Sequence, residues 1–286
     1  MITAPRALRS LVRKPVPAAA ATFLLIVIVC AIFAPFVAPH DPAQQNLAMR
    51  LRPPAWMERG VPEHILGTDG LGRDMLSRII YGARVSMYVG FAVITLQALV
   101  GGALGLLTGY FGGRLETIVM RLADLQLAMP TLVLAIALLA VLGGGITNVI
   151  LVLTISGWVV YARVIRSQTL SVREKEYVEA ARAVGKPQLG IIFQHILPNV
   201  GSSLVVLATL ELAAAILAEA TLSFLGLGVK PPTPTWGGMV ADGRNWMGTA
   251  WWISTFPGLA IFVVVLAINV VGDFLRDLLD PTLKHE

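Results

Sequence analysis

Six apolar stretches, about 18–38, 86–110, 117–142, 146–165, 199–224 and 253–275, constrain this chain more than any motif in it. Each is long enough to cross a bilayer, whose hydrocarbon core requires ~20 apolar residues in a helix. Inside lipid every peptide group must find its partner within a helix or a closed barrel. The runs here are continuous and of helix length rather than ten-residue alternations, which argues against an outer-membrane barrel. Only 14% of the 286 residues are charged and 56% are hydrophobic, where soluble domains are roughly one quarter charged. The expected class is an all-α integral membrane protein with six transmembrane helices.

Charge sets the expected orientation. The first fourteen residues carry Arg6, Arg9, Arg13 and Lys14 and no acid, placing the N-terminus in the cytoplasm. Counting spans puts 166–198 in the cytoplasm as well, where Arg163, Arg166, Arg173, Lys175, Arg182 and Lys186 cluster. The C-terminus falls on the same side. The 39–85 segment lies outside despite six arginines; it also carries five acids, and long loops follow the charge rule poorly. The net charge of +5 is therefore membrane topology, with no nucleic-acid partner required. Cys30, the only cysteine, lies inside the first span, so no intrachain disulfide can form. Ile28-Val29 before it argue against a lipoprotein, and the long apolar run against a cleaved signal peptide. The first span is expected to remain as an anchor.

One polar insert stands out between apolar runs. Ser171-Val172-Arg173-Glu174 has the form of a capping box, so a helix is expected to begin there. Tyr177, Ala180, Ala181 and Val184 then share one helical face, with Lys175, Glu179 and Arg182 opposite. Gly185 stands where a left-handed C-cap would sit, and Pro187 cannot continue the helix. A second short apolar run, 189–197, precedes Pro198 and the next span. The expectation is two short helices about a glycine corner. Glu179-Ala180-Ala181, three residues, Gly185 and then Leu197-Pro198 resemble the EAA loop of permease subunits in binding-protein-dependent ABC importers. His195 departs from the usual isoleucine, and His195-Ile196-Leu197-Pro198-Asn199 is similar to the peptide-permease branch. The resemblance implies that Tyr177, Glu179, Ala180, Ala181, Gly185, His195, Leu197 and Pro198 form a coupling site for an ATPase subunit.

Three further segments carry the same resemblance. Leu66-Gly67-Thr68-Asp69-Gly70-Leu71-Gly72-Arg73-Asp74 with Ser77-Arg78 and Tyr81-Gly82-Ala83-Arg84 is similar to the entry segment of C-type dipeptide/oligopeptide permeases. Its Met75, Ile79 and Ile80 share a face, with Arg73, Arg78 and Arg84 largely away from it, as in an interfacial helix. Leu222–Gly228 followed by Pro231-Pro232, Pro234 and Trp236-Gly237 matches the same branch. So does the ending Asn269, Gly272-Asp273, Leu275-Arg276-Asp277 and Asp280-Pro281. Trp236, Trp246, Trp251 and Trp252 are expected to form an interfacial belt. Gly101, Gly102, Gly105 and Gly109 lie near one face, suited to close packing within the chain or against a second permease. Pro130 should kink the third span.

The resemblance implies a type I ABC importer permease fold with this organisation: a cytoplasmic tail 1–17, a first helix 18–38, an extracytoplasmic loop and interfacial helix 39–85, a five-helix core 86–275 containing the coupling loop 166–198, and a cytoplasmic tail 276–286. It implies a second homologous permease, two ATPase subunits, an extracytoplasmic substrate-binding protein, membrane lipid around the helices and a peptide substrate. Nickel and glutathione importers share the branch. ATP and Mg would bind the ATPase partners, and this chain would carry no cofactor.

Glu211 and Glu219 are carboxylates in an otherwise apolar span. Exposing one to lipid costs about 3 kcal/mol on insertion scales, so each should face the bundle or a water-filled path. Their spacing puts them ~80° apart on the helix. Both are candidates for the translocation path; the alternative is a pair satisfied within the bundle. Catalysis is not expected: no phosphate-binding Gly-x-x-x-x-Gly-Lys-Ser/Thr or His-Glu-x-x-His occurs. His40, His64, His195 and His285 are scattered, giving no metal-binding spacing. Ser156 has no histidine within any span to serve it as a base. A secondary transporter or a membrane scaffold remains the alternative class.

Overall fold

A computed structural model describes residues 14–279; Arg6, Arg9, Arg13, Asp280-Pro281 and His285 lie outside this range. Among the described residues the regular structure is helical, with one isolated bridge between Thr68 and Asp74. The principal helices are α1 (Pro15–Ile32), α2 (Met75–Phe111), α3 (Gly113–Leu127), α4 (Thr131–Leu142), α5 (Ile146–Arg173), α6 (Glu176–Ala183), α7 (Leu197–Phe224), α8 (Trp236–Gly243) and α9 (Trp252–Leu279). Five helical segments are long and apolar enough to cross a membrane, and a sixth span follows if α3 and α4 are taken together.

That third span corrects an expectation. The chain does not merely kink near Pro130; α3 and α4 meet at 90°. Pro130 has no amide hydrogen and disfavours a helical Met129, so the helix ends and restarts at Thr131.

The glycine face resolves to packing within the chain. An added Cβ at Gly101 would lie 2.3 Å from the Trp158 carbonyl oxygen, at Gly105 2.5 Å from that of Ala162, and at Gly109 2.7 Å from Thr169 Cβ. The ascending order on both helices shows that α2 and α5 run parallel, in backbone contact only glycine permits. Gly102 faces Leu204 and Gly90 faces Leu212 and Ile216, so α7 runs antiparallel to both. The 174–198 loop and the start of α2 are therefore at opposite ends of the bundle. Between them lies an apolar core including Val89, Val93, Leu139, Val152, Ile216, Leu222 and Val264.

The end of the bundle opposite the 174–198 loop is more ordered than the sequence suggests. Residues 75–84 are the first turns of α2 rather than a separate interfacial helix. Asp74 caps them, its carboxylate accepting the Ser77 amide at 2.8 Å. Arg73 and Arg78 are buried, not turned away. Both pair with Asp69 (2.6 and 2.9 Å), and Arg78 also reaches Asp242 of α8 at 3.1 Å. The tryptophan belt also fails in part. Trp236 is buried and donates its indole N–H to the Ile79 carbonyl, and buried Trp252 donates to that of Thr68, each at 3.0 Å. Apolar rings with one donor each satisfied by a backbone oxygen are core residues. Trp246 stacks beneath the Arg50 guanidinium, and Trp251 stays exposed.

Candidate coupling site and translocation face

The coupling loop begins later than the capping box implies. Ser171 to Arg173 complete α5, and α6 starts at Glu176 with Lys175 at its N-cap. The Ser-x-x-Glu pattern fails because α5 continues through it. Arg173 instead reaches across to α2, where its Nη1 donates to the carbonyls of Gly109 and Tyr110 at 3.1 and 3.2 Å. A cation thus satisfies orphan carbonyls at the C-terminus of α2 and pins the root of the loop. Arg166 pairs with Glu116 of α3, and Arg163 with Asp124.

Within α6, Val178 is fully buried and Ala181 partly so, against Val172, Ile191, Ile192, Ile196 and Val200. The row Tyr177, Ala180, Val184 points the other way, and Val184 is 88% exposed. Ala181 therefore separates from the face the spacing gave it. Glu179 is also exposed and Arg182 lies on the same open side of the loop. Gly185 adopts φ +80° as expected. Its amide donates to the Arg182 carbonyl and that of Lys186 to the Ala181 carbonyl, the paired bonds of a Schellman cap.

After Pro187 the chain does not form a separate second helix. Gln188–Ile191, a π-helical turn at Ile192–Ile196 and α7 are continuous, making a rod from Gln188 to Phe224. Pro198 has no amide hydrogen for the carbonyl four residues back and its ring crowds that carbonyl. The wider π turn, with the Leu197 amide reaching the Ile192 carbonyl, fits the proline in without ending the helix. His195 connects the two arms: its Nε2 lies 2.9 Å from Lys186 Nζ, and its ring centroid 6.2 Å from that of Tyr177. Leu197 is partly buried and Pro198 exposed. Leu189 and Phe193 on the second arm add exposed apolar surface. The sequence-derived coupling residues are thus gathered on one short, capped loop that presents Tyr177, Ala180 and Val184 outward.

The two carboxylates of α7 separate. Glu219 is fully buried and accepts from Ser86 Oγ at 3.0 Å and Ser223 Oγ at 2.7 Å, tying α7 to α2. Glu211 is partly exposed. Its neighbour Leu210 lines a cavity of about 900 Å³ between α5, α7 and Arg276, with Gln168, Ser171, Ser202, Ser203 and Lys175 among its walls. Neither glutamate lines that cavity. Sequence spacing also missed a histidine pair: His40 and His64 have ring centroids 4.8 Å apart.

Comparison with known proteins fits this geometry. The family described as binding-protein-dependent transport system inner membrane component matches residues 101–285. The chain belongs to that family. Residues 5–54 match the N-terminal TM domain of oligopeptide transport permease C. The permease is 46% identical over 263 residues to the di/tripeptide transport system permease protein DppC of Pseudomonas aeruginosa, covering 92% of this chain and 87% of the relative. It is 47% identical to the dipeptide transport system permease protein DppC of Escherichia coli, covering 92% and 88%. Its fold resembles the MetNI methionine ABC transporter in inward-facing conformations, with a TM-score of 0.60 at 18% identity, covering 72% of this chain and 98% of that one. The permease is a multi-pass protein of the inner membrane with the permease fold of an ABC importer.

Proposed function

We propose that this permease is the C-type subunit of an ATP-driven importer of di- and oligopeptides. The relatives' names supply the substrate class. The observation that carries the coupling role is the outward row Tyr177–Ala180–Val184 on a loop capped at Gly185 and pinned by Arg173. An apolar row exposed on a rigid cytoplasmic projection suits insertion into a cleft of a soluble partner. The assembly comprises a second homologous permease, two ATPase subunits and an extracytoplasmic binding protein. ATP and Mg bind the ATPases, and this chain performs no catalysis of its own.

Motion follows from continuity. Closure of the ATPases displaces α6 and, through the Gly185 corner, the helical rod from Gln188 to Phe224. That rod lines the 900 Å³ cavity, so movement of the loop changes access to it. The walls mix Gln168, Ser171, Ser202 and Ser203 with Val164, Val206 and Leu210, and with Lys175 and Arg276 at the cytoplasmic end they suit a peptide with unpaired amides, apolar side chains and a carboxylate terminus. Glu211 stands beside the cavity-lining Leu210 without lining the cavity itself, and its role would be to draw the peptide's ammonium terminus towards the path; Glu219 serves the bundle.

The test is uptake of a labelled dipeptide and a labelled longer peptide in cells stripped of other peptide importers, with and without this chain. Uptake that depends on the chain is expected; uptake of neither would move the substrate to another class. Glu179→Lys should lower the amount of ATPase that co-purifies, with the permease still in the membrane. Undiminished co-purification would remove Glu179 from the docking surface. Glu211→Gln should reduce peptide uptake severalfold without loss of assembly, and unchanged uptake and unchanged pH profile would remove it from the path.

A further inference from the structure

On the outer face, two imidazoles and a carboxylate converge that no step of transport uses. His64 Nδ1 lies 2.9 Å from Asp74 Oδ1, and His40 Nδ1 lies 3.8 Å from Asp74 Oδ2. One ligand atom from each of the three falls within 4.8 Å of the others. We propose that His40, His64 and Asp74 form a binding site for a divalent transition-metal ion of the zinc class.

Four observations support it. The first is geometric. Tetrahedral zinc with ligands about 2.0–2.1 Å away places those ligands roughly 3.3 Å apart; His64 Nδ1 and Asp74 Oδ1 stand 2.9 Å apart, and one ligand atom from each of the three residues lies within 4.8 Å of the others, separations that side-chain rotation can bring to that value. The second is an unmet need: His40 Nδ1 is a buried ring nitrogen with no hydrogen-bond partner. Such a group normally has one, and a metal would fill the role.

The third is preorganisation. The His40 amide donates to Ser77 Oγ at 3.0 Å, and Ser77 Oγ in turn donates to Asp74 Oδ2 at 2.7 Å. The carbonyl of His64 accepts the Gly67 amide at 2.8 Å, and the Gly67 carbonyl accepts the Met75 amide. Both histidines are thus anchored through their backbones to the first turn of α2. The fourth is access. Asp74 is buried and His64 nearly so, but the cluster opens into a cavity of about 410 Å³ that Asp41, Gln44 and Glu63 also line. Water can supply a fourth ligand there, and Asp41 and Glu63 add negative charge around a cation.

Two imidazoles and one carboxylate suit zinc, nickel, cobalt or copper; magnesium prefers oxygen ligands. On binding, His64 Nδ1 exchanges its proton for the metal: a neutral His64 carries that proton on Nε2 instead, with none released, whereas a His64 imidazolium gives one proton to water and keeps the other on Nε2. The Asp74 oxygen that caps α2 stays in place. The bound ion would fasten the 39–67 segment to the start of α2.

The test uses the purified full chain carrying an affinity tag without histidine. Zinc is titrated in competition with a chromogenic chelator, and thermal unfolding is followed with and without zinc. One zinc per chain is expected. Its affinity should fall about tenfold or more in each of His40→Gln, His64→Gln and Asp74→Asn. Asn is itself a good N-cap, so Asp74→Asn keeps the helix start, and zinc-free melting of each variant checks the fold. Zinc should raise the melting temperature of the wild type but not of His64→Gln, and millimolar magnesium should not displace it. No zinc bound, equal affinity in any one of the three variants, or displacement by magnesium would overturn the site.

Discussion

Two glycines in this permease matter for opposite reasons. Gly185 sits at φ +80° with open space where a Cβ would be, so only its backbone conformation requires glycine. A side chain there costs about 1–2 kcal/mol, concentrated on the Schellman cap that holds the corner. Gly101 has no such conformation, but a Cβ there would meet the Trp158 carbonyl oxygen at 2.3 Å. Gly101→Val must push α2 away from α5 along a shared face, at or beyond the top of the roughly 1–3 kcal/mol range for overpacking. The expected result is a marked fall in melting temperature and in folded protein recovered from membranes. A Gly101→Val protein as stable as wild type would mean that the two helices do not touch there. Replacing the same residue type is thus expected to give a coupling defect at one position and a folding defect at the other.

At the scale of elements, what decides the loop's behaviour is how its two ends are held. Arg173 fastens the end of α5 to the end of α2 by two carbonyls, and the other end runs without interruption into α7. Arg173→Ala should leave the bundle folded, since the guanidinium is partly exposed and its charge-assisted bonds contribute at most about 1.5–3 kcal/mol. Uptake should nevertheless fall severalfold, with partial recovery in Arg173→Lys, because a loosened root lets the loop move without moving α7. Normal uptake by Arg173→Ala would show that the root does not bear the load. The glycine corner was legible from Gly185 and Pro187 alone, because a positive φ and a missing amide leave few alternatives. The start of α6 was not. Ser171 to Glu174 satisfy a local pattern, but contacts of Val172 and Arg173 with distant residues keep α5 helical through it. Likewise Pro198 reads as a boundary, and only the π turn before it lets one helix pass through.

For the whole molecule, hydrophobic length gave five spanning helices and their order, with α3 and α4 together as the sixth, since lipid imposes that requirement on every segment separately. It could not show that Pro130 divides the third span at a right angle, nor that Arg73 and Arg78 are buried, because both depend on partners distant in sequence such as Asp242. The candidate coupling residues were legible as a motif, whereas the different surroundings of Glu211 and Glu219 were not, because Ser86, which binds Glu219, lies 133 residues away in the chain. The parallel α2 and α5, with α7 antiparallel to both, join the Gly185 corner to the cavity wall through one continuous helix, which is the path the proposed coupling would use. The most direct test of that path is Gly185→Val in the assembled transporter, with peptide uptake and peptide-stimulated ATP hydrolysis measured on the same preparation. The expected result is a complete complex, ATPase activity no longer responsive to peptide, and uptake reduced at least about tenfold. Wild-type uptake and stimulation by that variant would contradict the account.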